Sequence, residues 1–147
     1  MKRFKFRLES VLKYRRFMEK KAMVRLMQHK KACEKMKMSI NRLDSRRSDL
    51  AQKCSQAGAN GAEAFVYLSY KAYLNALQEE IEATLVELGE KECQVKEQEA
   101  LLKKETTKKK VLERLKTLRL EDHRGLIAKL EQEYLDERVL TRRGVSA

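Results

Sequence analysis

Positions 67, 74, 81, 88, 95 and 102 read Tyr67, Leu74, Ile81, Leu88, Val95 and Leu102. Interleaved with them stand Tyr70, Leu77 and Thr84, and the combined spacing of three and four is a heptad seam. Its next members weaken to Lys91, Gln98, Glu105 and Lys109, and the apolar stripe resumes with Leu112, Leu115, Leu126, Leu130 and Leu140. The first half carries the same signal. Phe4, Leu8, Val11, Arg15, Met18 and Ala22 alternate by four and three, one extra step of four leads to Leu26, and His29, Cys33, Met36, Ile40, Leu43, Arg47, Leu50, Cys54 and Ala57 follow. The extra step reads as a stutter, which locally relaxes a left-handed supercoil.

Between the two stripes lies the one dense cluster of helix breakers, Gly58, Asn60 and Gly61. Glycine inside a helix costs about 1 kcal/mol relative to alanine. Two amphipathic helices, about 4–57 and about 63–140, joined by a turn at 58–62 and followed by a short tail, make an all-α fold. It is a long antiparallel two-helix coiled coil, or αα-hairpin, over a single domain 1–147. At 1.5 Å per residue the helices span roughly 80 and 115 Å. Folding about residue 60 places position i opposite about 121 − i. Helix two then overhangs the N-terminus by about twenty residues. Such a pair buries one seam and offers no concave cleft.

Composition agrees. Charged residues make up 38 % of the chain, against roughly 25 % in an average domain. Aromatics are 6 % and tryptophan is absent. No window approaches the ~20 apolar residues of a membrane span, and the basic N-terminus lacks the apolar core of a secretory signal. Cys33, Cys54 and Cys93 are widely spaced and read as reduced, half-buried thiols on the helix seams, not as a zinc site, which needs four clustered ligands. His29 falls on the seam, and His123 has no cluster around it suited to metal binding or catalysis. There is no phosphate loop, no nucleophile elbow and no zinc-protease motif. The reading is therefore a non-enzyme with no catalytic residue, cofactor or metal.

The charge is arranged along the chain. Residues 1–31 hold twelve Lys/Arg and two Glu, net +10, whereas 79–100 hold two Lys and eight Glu, net −6. Residues 32–78 hold seven basic and four acidic side chains, and 101–147 thirteen and eight, which completes the +12 of the whole. In the hairpin the basic N-terminal stretch faces 90–119, including Glu90, Glu92, Glu97 and Glu99, so cross-helix pairs match part of the charge. The termini-bearing end, with KKETTKKK at 103–110, stays basic. The turn end carries Phe65, Tyr67, Tyr70 and Tyr73. Tyr67 and Tyr70 fit the seam, while Tyr73 lies one step off it and is a candidate contact residue.

Two stretches carry a resemblance. FKFRLESVLKYRRFMEKKA at 4–22 resembles the N-terminal signature of the flagellar export protein FliJ family, in which a Phe-x-Phe-x-Leu opening precedes a basic helix. VLERLKTLRLEDHRGLIAKLEQEYLDERVLTRR at 111–143 is similar to the family's C-terminal half, most tellingly in Leu135-Asp136-Glu137 and Arg142-Arg143. Length and two-helix organisation agree over essentially the whole chain. The resemblance implies a soluble component of the flagellar type III export apparatus, similar in shape to the central stalk of rotary ATPases. It implies a cytoplasmic protein, peripheral at the inner face of the inner membrane. Its partners would be the hexameric export ATPase, bound through the termini-bearing end, the export gate protein FlhA, and export chaperones. The family's gate contact uses an aromatic residue and a leucine four positions later. Tyr73 and Leu77 hold that spacing, with Tyr70 a turn before; a tyrosine stands for the family's phenylalanine, and Leu77 also fits the seam. For the ATPase ring the candidate contacts are Arg7, Lys13, Arg15, Arg16, Lys20 and Lys21 on helix one, with Arg142 and Arg143 on helix two.

Two other readings compete. A basic coiled coil could bind nucleic acid with a steep salt dependence, but the basic runs lack interleaved base-stacking aromatics and no basic block precedes an uninterrupted zipper. The equivalent stalk of a virulence secretion system would share the same physics.

Overall fold

The computed structural model describes residues 3–145. Two helices, α1 (Glu9–Ala59) and α2 (Ala64–Val145), account for nearly all of them, and they pack against each other as an all-α helical hairpin. The described residues fall into two compact units. One joins the chain up to Lys20 with the chain from Lys103, and the other comprises Lys21–Leu102. Each unit is a pair of antiparallel helical segments.

The turn is four residues, Asn60 to Glu63. The Ala62 amide donates to the Ala57 carbonyl (3.0 Å) and the Gly61 amide to the Gly58 carbonyl (3.4 Å), closing α1 in a Schellman motif. The motif requires a left-handed residue at Gly61, whose φ is 69°. Gly58, expected in the turn, stays within α1. A Cβ there would come within 3.3 Å of the Tyr67 ring, so its bareness lets that ring lie against the helix.

Along α1, Leu12, Arg15, Glu19, Ala22, Leu26, His29, Cys33, Met36, Ile40, Leu43, Arg47, Leu50, Cys54 and Ala57 are buried or half-buried, as are Glu9, Met18 and Ala32 beside them, and the first fourteen form one stripe. The spacing is an unbroken alternation of three and four. Met18 and Glu19 are both half-buried where the stutter was expected, and it is Glu19 that meets α2, through Lys109. At its start the seam uses Leu12, which is fully buried, and not Leu8 and Val11, which are 37 % and 39 % exposed. α2 keeps the predicted heptads through Lys91, Gln98, Glu105 and Lys109, all half-buried.

Helix one does not begin near residue 4. Residues 3–6 are non-helical, Arg7 and Leu8 form a turn, and α1 starts at Glu9. A helix would send Phe4 and Phe6 to different sides, since residues two apart do not share a face. An extended chain puts both on one side. Phe4 and Phe6 are half-buried while Arg3, Lys5 and Arg7 are exposed. The Phe4 ring lies 5.6 Å from that of His123.

Ionic contacts across the helices follow the direction in which helical side chains lean. Lys30 meets Glu99 (3.3 Å) and Lys37 meets Glu92 (3.9 Å) in one unit; Glu9 meets Lys116 (2.7 Å) and Arg16 meets Glu113 (3.5 Å) in the other. The α2 partner lies further along the chain than a fold about residue 60 predicts. The turn is centred slightly later, and each side chain points back toward its own helix's N-terminus, so antiparallel partners meet at a stagger. Such exposed pairs contribute ~0–1 kcal/mol each.

A different kind of contact sits within the termini-bearing unit. Lys109 donates to Glu19 at 2.9 Å, with both side chains largely covered, and Arg15 lies 4.0 Å from Glu105. One carboxylate oxygen of Glu19 and one of Glu105 are buried without a hydrogen bond. Covering charge in this way adds little net stability but penalises alternatives that leave a charge unpaired. A one-heptad slip bringing Leu102 to face Glu19 is such an alternative. The Lys109 hydrogen bond holds Glu19 below the usual carboxylate range, desolvation opposes it, and Thr106 adds a weaker pull. Lys116 does the same for Glu9.

Two outcomes test this packing. Leu12→Ala is expected to destabilise by about 2–5 kcal/mol, whereas Phe17→Ala, 60 % exposed, changes stability by no more than ~0.5 kcal/mol; equilibrium urea unfolding separates them. A carboxylate held low in the fold stabilises it above its unfolded-state value and stops doing so as the pH falls through its folded value. The thermal midpoint should therefore drop as the pH falls below about 4.5, and drop less in Glu19→Gln. An equal drop in both chains contradicts the assignment.

Candidate partner-binding surfaces

In the turn-bearing unit, the start of α2 presents apolar side chains to solvent. Phe65 is 78 % exposed, Leu68 63 % and Tyr73 47 %. Tyr73 shares its face with Val66, seven residues back, which is 40 % exposed. Tyr67 lies at the edge of the seam, with the Lys71 ammonium 5.6 Å from its ring centre. Tyr70 is half-buried. Leu77 is 3 % exposed and belongs to the seam. Of Tyr70, Tyr73 and Leu77, then, Tyr73 is the side chain a partner can reach on the closed hairpin. Beside it, the Arg47 guanidinium donates to the Gln78 side-chain carbonyl, and Gln78 donates to Glu82 at 3.0 Å.

In the termini-bearing unit, the basic candidates divide. Arg15 is half-buried, faces Glu105, and lies over the Tyr14 ring at 5.6 Å. Arg16 is engaged by Glu113. Both serve the pairing with α2. Arg7, Lys13 and Lys20 are exposed, as are Arg142 and Arg143 in the last turn of α2. Positive charge there also suits the negative end of the helix dipole. Lys21, exposed, begins the other unit.

The expected return of the stripe at Leu126, Leu130 and Leu140 is not a return to burial. These residues are 61 %, 63 % and 68 % exposed, because past the Phe4–His123 contact the described chain offers α2 nothing to pack against. Beyond Ile127 every described residue of α2 is exposed, including Tyr134, Leu135 and Val139. The overhang of helix two expected from a fold about residue 60 leaves this apolar face uncovered.

Among the described residues no three His, Cys, Asp or Glu side chains converge on a point where a metal could sit. No described helix is long and apolar enough to cross a membrane. What the surfaces can do is bind. One offers an exposed aromatic, the other exposed cations beside bare apolar positions.

The sequence model of a protein family described as "Flagellar FliJ protein" matches residues 4–144. No curated protein and no solved structure matches the chain.

The placement of Tyr73 and Leu77 has a measurable consequence. Leu77→Ala should destabilise the hairpin by about 2–5 kcal/mol, while Tyr73→Ala should fall within ~0.5 kcal/mol of the parent. Thermal unfolding followed by circular dichroism decides it, and comparable losses would place Tyr73 in the core.

Proposed function

Because the chain belongs to the flagellar FliJ family, and so is a component of the flagellar protein export apparatus, we propose that it acts as a stalk-like element that binds and stimulates the hexameric export ATPase. In this reading it also contacts the export gate protein FlhA and escorts export chaperones, at the cytoplasmic face of the inner membrane. It turns over no substrate itself.

The family match over nearly the whole chain carries the reading. The distribution of side chains supports it. Cations not drawn into the seam, Arg7, Lys13 and Lys20 with Arg142 and Arg143, stand on the unit that also bears uncovered Leu126, Leu130 and Leu140. Charge of one sign speeds encounter with an acidic partner, and apolar side chains then hold it. Arg15 and Arg16 act indirectly, by holding α2 in register beneath that surface. Tyr73, exposed on the other unit, is the side chain proposed to reach the gate, with Tyr70 and Leu77 shaping the helix face under it.

Hydrolysis by the export ATPase, measured with and without this chain, tests the proposal. Addition should raise the rate, and the chain alone should show none. Reversing Arg7, Lys13, Lys20 and Arg143 together to Glu should weaken binding by at least about tenfold, mainly through slower association. Tyr73→Ala should leave stimulation intact while lowering capture of the FlhA cytoplasmic domain. Undiminished stimulation by the four-fold reversal rejects the assignment of these residues.

A further inference from the structure

Residues 3–8 and the α2 stretch 115–126 enclose a groove of about 750 Å³. Its rim carries Arg3, Lys5, Arg7 and Arg119, all exposed. Among the described residues none of the four has a carboxylate within salt-bridge distance, in contrast to Arg16, Lys30 and Lys116, which all do. A single acid, Asp122, opposes them. The floor is apolar, formed by Phe4, Phe6, Leu115 and Leu126. Phe4 stands tilted against His123.

We propose that this groove docks an acidic peptide segment that inserts an apolar side chain between Phe4, Phe6 and α2. Charge complementarity selects the sign of the occupant, since four cations outweigh one carboxylate. The layout of the cations selects its form. Arg3 and Lys5 alternate with the half-buried Phe4 and Phe6 along the non-helical segment 3–6, and Arg7 follows at the turn; in an extended chain like-facing side chains stand about 6.6–7 Å apart. Carboxylates on alternate residues of an extended peptide repeat at the same interval, whereas one phosphate reaches only one or two of these cations. The backbone amides and carbonyls of residues 3–5 make no main-chain hydrogen bond among the described residues, so an added strand can pair with them. The apolar floor gives an inserted Leu or Phe a place out of water.

The proposal shares Arg7 with the ATPase surface and rests on that reading no further. Binding is therefore measured on the full chain alone, so that its failure leaves ATPase stimulation to be judged separately. The chain contains no tryptophan, and a synthetic peptide of alternating Glu and Leu with one Trp reports its own binding by fluorescence. Saturable binding is expected. It should weaken at least about tenfold when the peptide's Glu residues are replaced by Gln, when its Leu residues are replaced by Ser, and when the chain carries Arg119→Glu. Lys53→Glu, on the other unit, should change nothing. Arg119 is exposed, so its reversal should leave the helical signal intact. Equal binding by the Arg119→Glu chain overturns the proposal. So does a preference for phosphatidylglycerol vesicles or single-stranded oligonucleotide at equal negative charge, or occupancy of the groove by a second copy in sedimentation.

Discussion

The structure depends on one constraint: two helices with nothing else to pack on can bury only the stripe where they touch, and that stripe must keep its phase. The α1 positions from Leu12 to Ala57 step by three and four without a break, and α2 answers from Tyr70 through Lys109. Holding the phase matters more than keeping every position apolar. Arg15, Glu19, Arg47, Glu105 and Lys109 are admitted to the seam because inserting a residue to avoid any one of them would rotate the rest of that helix off its partner. The polar positions are then reconciled locally, Glu19 by Lys109, Arg15 by Glu105 and Arg47 by Gln78. A seam so polar is thin in hydrophobic burial, with Leu12 the one fully covered side chain among the described residues, and charge placement and the Gly61 turn help to set its register.

That economy has a functional side. A side chain on the seam or at its flanks is committed to holding the helices together, and what is left is free for other molecules. In the termini-bearing unit the division runs through the basic residues themselves: Arg15 and Arg16 face α2 carboxylates, whereas Arg7, Lys13 and Lys20 face solvent. In the turn-bearing unit it runs between Leu77, inside, and Tyr73, outside. In this member of the FliJ family the helix faces that the fold does not use are thus the ones on which the proposed contacts fall.

The α2 heptad was plain in the sequence because Tyr67 to Leu102 are apolar at every seventh position, and the hairpin followed from it and the Gly cluster. The α1 register was read less well at its start. Glu19 looks like a surface residue until Lys109 is placed across from it, and a pattern built on hydrophobicity alone stepped from Met18 to Ala22 without it. The extended segment was missed although Arg3-Phe4-Lys5-Phe6-Arg7 alternates with a period of two, a strand-like signal overridden by the helical pattern next to it. Of two glycines expected to turn the chain, only Gly61 takes the left-handed conformation; Gly58 makes room for Tyr67, which no local pattern announces. The bare face at Leu126 to Leu140 was legible as an apolar stripe on the expected overhang of helix two, although its members were read as a seam resumed.

Glu19 occupies the seam opposite Lys109 and fixes its phase. A double-mutant cycle of Glu19→Gln and Lys109→Met in urea unfolding tests it most directly, with the neighbouring Lys110→Met as the reference. A coupling of about 0.5 kcal/mol or more between Glu19 and Lys109, and a smaller one with Lys110, is the predicted result. No coupling with Lys109, or a stronger one with Lys110, would mean that the seam runs in a different phase and would contradict the account.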